Sequence, residues 1–240
     1  MKLVHASKNR YYRKMAIKPH TDPAQEPSAT QRAYLAIRRM ILIGELSPGE
    51  KLKIENLRKF LDMGGSPIRE ALTLLVSDLL VERLDQRGFR AAEISPHNFA
   101  EILKLRCQLE EMALRESLKH ASTDWEDTLV LSHHRMVREP RENIERFEEL
   151  HKAFHMNLIG ACHSPVLLKF CNQLYDLNIR YRYLAGRALN YSKRDIGREH
   201  TDIMNAAVDR DTDTACRLLL DHYRTTGAFL EKHFRAEAAE

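Results

Sequence analysis

Residues 64–80 read GGSPIREALTLLVSDLL, and their pattern predicts the helix that decides the fold class. Ser66 is placed to cap this helix, and Pro67 follows at its first position, where a missing N–H costs nothing. Apolar residues then recur with the period of an α-helix at Ile68, Ala71, Leu72, Leu75, Val76, Leu79 and Leu80. We therefore expect an amphipathic helix with one buried face and an exposed first turn.

Two helices and a hairpin are predicted around this stretch. Helical spacing predicts one helix from Thr30, ended by Gly44, and a second over Ile54–Leu61. Residues 81–94, VERLDQRGFRAAEI, favour a hairpin with Gly88 at its turn. Two helices joined by a short glycine-containing turn are typical of a unit that places its second helix in the DNA major groove. The hairpin that follows is then predicted to be a wing.

Only helical periodicity follows from Ser95, which with Pro96 has the pattern of a helix start. The periodicity breaks five times, near residues 120–123, 139–140, 163–165, 186–192 and 209–211, which predicts six helices and no strands. Antiparallel six-helix bundles hold small-molecule or metal sites in their cores. The chain is thus predicted to be mainly α, with a flexible basic arm (1–28), a winged helix-turn-helix (29–95) and an all-helical effector-binding, metal-binding and dimerisation domain (96–240).

Charge and composition favour a nucleic-acid-binding protein that does not enter the membrane. The 240 residues carry a net charge of +4, but 17 Lys and Arg against 11 Asp and Glu give the first 95 residues +6 and leave −2 for the rest. No apolar run reaches the roughly 18 residues of a membrane span, and the N-terminus lacks a secretory signal, so we expect a cytoplasmic protein. The four cysteines form no CxxC pair, which indicates buried free thiols.

Two sets of motifs resemble a known family. ILIGELSPGEKL (41–52), SPIREALTLLVSDLL (66–80) and VERLDQRGFRAAEI (81–94) resemble the winged helix-turn-helix of GntR-family transcriptional regulators. The second half is similar to that family's FCD ligand-binding domain, through LRCQLEEMAL (105–114), FHMNLIGACHSPVL (154–167), REHTDIMNAAVDRD (198–211) and DTACRLLLDH (213–222). The resemblance covers roughly residues 32–236, and six helices in place of seven resemble the VanR-like branch. It implies a homodimer on double-stranded operator DNA, with repression as the expected direction of control.

The resemblance implies that Ser66, Arg69 and Gly88 lie next to DNA. A guanidinium at the start of a helix in the major groove can hold guanine or phosphate through two hydrogen bonds. The alternative for Arg69 is a surface ion pair with Glu70 or Glu55.

The hairpin and the helix-turn-helix also contain features that set this chain apart. Arg83, Arg87 and Arg90 would give the hairpin a positive edge, although a solvated hairpin is the alternative. Where the family commonly has a Ser-Arg pair, this chain has Gly64-Gly65, and Glu55 stands where some members have an arginine. These departures remove candidate phosphate contacts, so relatives do not predict the operator.

Four histidines predict a metal site. His151 and His155 are four residues apart on one predicted helix, so both imidazoles project from one face and can bind a common cation. In the resembled FCD domains, the histidines that match His155, His200 and His222 are metal ligands, and the fourth ligand is usually an aspartate where this chain has His151. Either His151 completes an all-imidazole set or water takes that place. Imidazoles suit a divalent transition metal, with Zn expected and Ni or Fe as alternatives.

Arginines near this site predict an anionic effector. In the resembled domains, an arginine at the place of Arg106 faces the effector cavity, and its guanidinium fork suits the carboxylate of a small organic acid. The alternative is an intrahelical pair with Glu110. Arg180 and Arg182 are further effector candidates, although their helix face could equally form a subunit contact.

Two other functions compete with an effector-controlled repressor. In the first, the metal itself is the signal. In the second, the histidines serve a metallohydrolase, but the sequence has no HExxH motif and no nucleophile elbow. An enzyme would also leave the N-terminal motif unexplained, so we expect none.

Overall fold

The computed structural model describes residues 26–185 and 195–237, with side chains up to Phe234, and is mainly helical, as predicted. Its first part consists of α1 (Ala29–Leu42), β1 (Lys51–Leu52), α2 (Ile54–Leu61), α3 (Gly65–Ser77), β2 (Val81–Leu84) and β3 (Gly88–Ala91). Its second part consists, within the described residues, of α4 (Pro96–Lys119), α5 (Thr123–Arg138), α6 (Ile144–Leu158), α7 (Pro165–Ala185), α8 (Ile196–Val208) and α9 (Thr212–Glu237). Nearly all of the predicted arm, and the predicted break at 186–192, lie outside the described residues.

The start of α3 differs from the prediction. Gly64, with an extended backbone, precedes the helix, and Ser66 lies inside its first turn, so Ser66 is not the cap. The Ser66 hydroxyl donates instead to Glu70 Oε1 (3.2 Å), and Thr30 donates to Glu70 Oε2 (2.8 Å). Pro67 still falls within the first turn, where backbone N–H groups have no partner inside the helix. Glu70 thereby ties the start of α3 to the start of α1.

The hairpin forms as predicted and gains a third strand. β2 and β3 pair antiparallel with Leu84 opposite Gly88, and Gly88 has φ +94°, a conformation that glycine adopts without strain. Leu52 of β1 pairs with Phe89, which gives the strand order β1-β3-β2. Helix, turn, helix and a β-wing are therefore all present.

One apolar core joins the first part of the chain to the bundle. Ile37 of α1 and Leu72 of α3 lie in the same buried cluster as Phe99 of α4 and Tyr175 of α7. A second cluster lies within the bundle. In the part of the chain that the structure describes, no helix is long and apolar enough to span a membrane.

Ion pairs reinforce this junction. Asp176 on α7 bridges two cations, with Oδ2 2.5 Å from Arg38 of α1 and Oδ1 2.6 Å from Lys152 of α6. Arg39 of α1 contacts both oxygens of Glu145 at the start of α6 (2.6 and 2.7 Å). The first helix is thus tied to α6 and α7.

Candidate metal centre and nucleic-acid interface

The four predicted histidines converge in the interior of the bundle. The Nε2 atom of His151 lies 2.9 Å from that of His200 and 3.1 Å from that of His155, and His155 and His200 are 3.3 Å apart. His222 joins them, since one ligand atom from each of the four residues lies within 4.8 Å of the others. All four side chains are buried. The structure brings together residues from α6, α8 and α9 that are up to 71 positions apart in the sequence.

Hydrogen bonds to the other ring nitrogens assign protons away from the centre. His200 Nδ1 donates to the Ile196 carbonyl (2.7 Å), and His222 Nδ1 donates to the Glu199 carboxylate (2.8 Å). The neutral forms of these two rings therefore carry no hydrogen on Nε2. Two lone pairs consequently face the middle of the cluster.

His155 supplies a third inward lone pair. The Tyr223 hydroxyl donates to Glu110, so its oxygen accepts from His155 Nδ1 at 2.9 Å. With its proton on Nδ1, neutral His155 also has an unprotonated Nε2. Three acceptors then converge in a buried space where, at most, His151 can offer a hydrogen. Such a set matches what a cation requires of imidazole ligands.

The neighbours of His151 Nδ1 include both hydrogen-bond donors and an acceptor. Its Nδ1 lies 2.6 Å from the Tyr175 hydroxyl and 3.2 Å from Arg182. Glu148 Oε2 is 3.5 Å away and has no hydrogen-bond partner among the described residues, so it can accept a hydrogen bond from Nδ1 when Nε2 binds a cation. A carboxylate behind a histidine ligand is a common arrangement in metal sites.

Burial favours the neutral form of three of the four rings. It lowers the pKa of His151, His155 and His200 well below the usual 6.5, and neighbouring histidines and arginines lower it further. Metal binding requires the neutral ring, so this environment favours ligation at physiological pH.

A buried polar network surrounds the centre. Arg106 Nε donates to Glu110 (2.6 Å) and Nη1 donates to Asn178 (2.9 Å), while the buried Nη2 has no acceptor in the part of the chain that the structure describes. Its guanidinium carbon lies 4.1 Å from the ring centroid of Tyr223 and 4.6 Å from that of Tyr175. The predicted pair with Glu110 therefore forms, and Arg106 also lines the cavity beside the histidines. The two interpretations of Arg106 are compatible.

That cavity is small in this conformation. Its volume is about 10 Å³, room for about one water molecule, and His151, His222, Arg106 and Arg182 contribute to its wall. Arg182 also contacts Glu148 Oε1 at 2.7 Å. Two guanidinium groups thus lie beside the cluster, each paired with a glutamate, so they offer N–H donors to the cavity without a net positive charge.

Arg180 lies elsewhere, which corrects its prediction as a residue of this cavity. Its Nη2 donates to the Ala92 carbonyl (2.7 Å), and it lines a separate cavity between the hairpin and the bundle. The reason is its position on α7: Arg182 reaches the cluster, but a residue two positions earlier points about 200° away around the helix.

Three residues that orient the histidines were not predicted from the sequence: Tyr223, Glu199 and Glu148. Tyr223 and Glu199 are direct sequence neighbours of His222 and His200, and Glu148 precedes His151 by nearly one turn. A search for polar residues beside each predicted ligand would have found them.

The exposed residues of α3 form a candidate DNA surface. Arg69 is exposed and has no ion pair with any described residue, because Glu70 bonds to Thr30 and Ser66 while Glu55 pairs with Arg58 (3.0 Å). The alternative pairing of Arg69 is therefore wrong. A guanidinium that has no ion pair among the described residues, near the start of this helix, is positioned to contact DNA.

The wing is less basic than predicted. Arg90 contacts Glu82 at 2.6 Å and Glu93 at 2.8 Å, so its charge is compensated. Arg87 and Gly88 are exposed at the tip, and Arg83 is exposed on β2. The positive edge is reduced to Arg83 and Arg87.

Comparisons with known proteins give the same two-part organisation. Residues 29–90 match the family model "Bacterial regulatory proteins, gntR family", and residues 101–225 match the FCD domain. A relative from Paraburkholderia xenovorans (strain LB400), "Uncharacterized HTH-type transcriptional regulator BphR", is 32% identical over 206 residues, which cover 83% of this chain and 84% of that protein. "HTH-type transcriptional repressor GlaR" from Escherichia coli (strain K12) is 28% identical and covers 80% of this chain and 91% of its own.

A solved structure has the same fold. "E. coli McbR/YncC" superposes with a TM-score of 0.77 at 21% identity, covering 87% of this chain and all of that one. Together with the family matches, these findings assign both parts of the molecule. The chain belongs to the GntR family of bacterial regulatory proteins, with an FCD domain in its second part, and is a transcriptional regulator of that type.

Proposed function

We propose that this regulator senses its signal at a metal centre held by His151, His155, His200 and His222. The observation that carries the proposal is that four buried imidazoles converge while hydrogen bonds engage the Nδ1 atoms of three of them, which leaves Nε2 as the ligand atom of those rings in their neutral form. Four imidazoles suit a divalent transition metal, and we expect Zn, with Ni or Fe as alternatives. When bound, the ion supplies positive charge and coordination for an anionic ligand.

The effector that fits the wall of the small cavity beside the histidines is a small organic acid. Arg106 has a buried Nη2 with no acceptor within residues 26–185 and 195–237, and Arg182 lies beside the same cavity. A carboxylate can accept two parallel hydrogen bonds from a guanidinium. Because the cavity holds only about 10 Å³, binding requires the helices around it to move apart. Such a movement reaches α1 through the Arg38, Asp176 and Lys152 bridge.

At the DNA end, Ser66, Arg69, Arg87 and Gly88 are the proposed contacts. Operator sites with two half-sites require two recognition helices, so we assign a homodimer. Repression is favoured by the relative named a transcriptional repressor. A cytoplasmic location follows from the DNA target. The six described helices of the second part resemble the VanR-like branch of the family.

A second candidate makes the metal itself the signal. Four histidines fill a tetrahedral zinc site, as in structural sites without an open position. The small cavity beside them is consistent with a closed site. This candidate needs no organic effector.

Operator affinity measured by fluorescence anisotropy separates the two candidates. Metal-loaded and metal-stripped protein should be titrated with and without a series of small carboxylic acids. An acid-dependent change in operator Kd that is lost in Arg106→Lys, and kept in the exposed control Arg115→Lys, supports an organic effector. A response to metal alone, unchanged by every acid, supports metal sensing, and no response to either contradicts both.

A further inference from the structure

A second cavity, with a volume of about 330 Å³, lies where the hairpin meets the bundle. This volume lies within the range of small-molecule sites, roughly 300–1,000 Å³. None of the four clustered histidines lines it. Much of its wall is apolar and comes from the turn after α3, β2, α4 and α7, through Leu79, Val81, Ile102, Leu105, Leu174 and Leu177.

Among the described residues that line this wall, Arg180 is the one cation. Its side chain is 3% exposed, and its guanidinium bonds only to the Ala92 carbonyl among the described residues, with Nε left without a partner. No described carboxylate pairs with it, and burial lowers the pKa of Arg180. A guanidinium has five N–H donors, so most of its hydrogen-bonding capacity is unused. Glu82 acts on this charge from a distance, but a buried guanidinium with no direct ion pair among the described residues still attracts an anion.

The acidic residues of the wall restrict the ligand. Glu82 and Glu93 both contact Arg90, at 2.6 and 2.8 Å, so its single charge offsets one of their two, and their side chains remain 41% and 62% exposed to water. Glu101 is exposed at the rim and repels a second negative charge. The wall therefore favours one deep negative charge on an otherwise neutral molecule.

Exposed leucines mark the mouth of the cavity. Leu79 is 61% exposed and has φ +62°, a strained conformation for a leucine, and Leu105 is 40% exposed. An apolar body seated here would remove both side chains from water.

We propose that this cavity binds a small monocarboxylate with an apolar body, its carboxylate accepting from Arg180 and its body covering the leucines. The ligand would contact β2 of the DNA-binding part together with α4 and α7 of the bundle. The site is therefore a second place, separate from the histidine cluster, where a small molecule can alter the placement of the DNA-binding part.

Thermal shift and isothermal titration calorimetry on the full chain test this site. The probes are benzoate, cyclohexanecarboxylate and 2-naphthoate, each paired with its neutral amide. At millimolar concentration at least one acid should raise Tm by a few degrees while its amide has no effect. Arg180→Met should abolish the shift, and so should Leu105→Trp, which fills the mouth and keeps Arg180. The exposed control Arg146→Met should retain it.

Several outcomes would overturn the proposal. No shift with any acid does so, and so does an equal shift in Arg180→Met or Leu105→Trp. A shift lost in His155→Ala but kept in Arg180→Met places the acid in the bundle, which contradicts the second site and supports the proposed metal-centred one. A shift kept in His155→Ala and lost in Arg180→Met supports the second site, whatever the metal centre proves to do.

Discussion

Asp176→Asn should destabilise the protein by about 2–3 kcal/mol, because it removes the anion between two partly buried cations. Breaking a fully buried ion pair on one side costs about 3–5 kcal/mol. Here Arg38 and Lys152 keep 22% and 23% of their side chains exposed, so water replaces part of the lost interaction. The expected cost is therefore below that range, at about 2–3 kcal/mol. For a chain of this length, 1 kcal/mol shifts Tm by about 2–4 °C, so the expected fall is about 4–12 °C.

Urea unfolding of a double-mutant cycle measures the bridge directly. Asp176→Asn, Arg38→Met and the double variant should show a coupling of about 1–2 kcal/mol, since one partner's removal abolishes the other's contribution. The control is Asp213→Asn, which removes the exposed pair with Arg115 and should leave stability unchanged. Additive effects of the two bridge variants, or an Asp176→Asn variant as stable as wild type, would refute the reasoning.

Three further predictions concern DNA binding and pH. Arg69→Ala should weaken specific operator binding by about 1–3 kcal/mol in fluorescence anisotropy with an unchanged circular dichroism spectrum, and unaltered affinity would contradict its role. Operator binding should fall steeply between 50 and 200 mM salt, on the order of the loss expected for phosphate contacts, and a flat dependence would contradict recognition through the backbone. Burial lowers the pKa of His151, His155 and His200, so below pH 6.5 the unfolded chain binds protons that the metal-free folded protein does not. As pH is lowered below 6.5, the free energy of unfolding should therefore decrease by about 1.4 kcal/mol per pH unit for each ring that stays neutral in the folded protein. A free energy of unfolding in urea that is constant from pH 7.5 to 5.5 would argue against it.

Local patterns predicted most of the fold. The helix over Ile54–Leu61 and the start of α4 at Pro96 followed from periodicity and from a serine-proline pair, both of which act within a few residues. β1 escaped prediction because a two-residue strand carries no alternation and forms only through its long-range pairing with β3. Ser66 was wrongly predicted as the cap because serine is a favoured capping residue and stands directly before a proline. The extended backbone of a cap lies two positions earlier, at Gly64.

The ligand cluster was predictable for a different reason than the network around it. His151 and His155 share a helix face through local spacing, whereas His200 and His222 were added by the family resemblance. Tertiary packing alone decided the rest. It separated Arg180 from Arg182, compensated Arg90 with two glutamates, and brought Tyr223 between His155 and Glu110.

Metal content after purification without chelator tests the central claim most directly. Elemental analysis of the wild type should find about one divalent transition metal ion per chain. The variants His155→Ala and His222→Ala should each contain much less metal and unfold at a lower Tm. His134→Ala, which removes an exposed histidine outside the cluster, should keep both. A wild type that neither contains nor takes up a stoichiometric ion, or cluster variants that retain full occupancy, would contradict a metal centre at these four histidines.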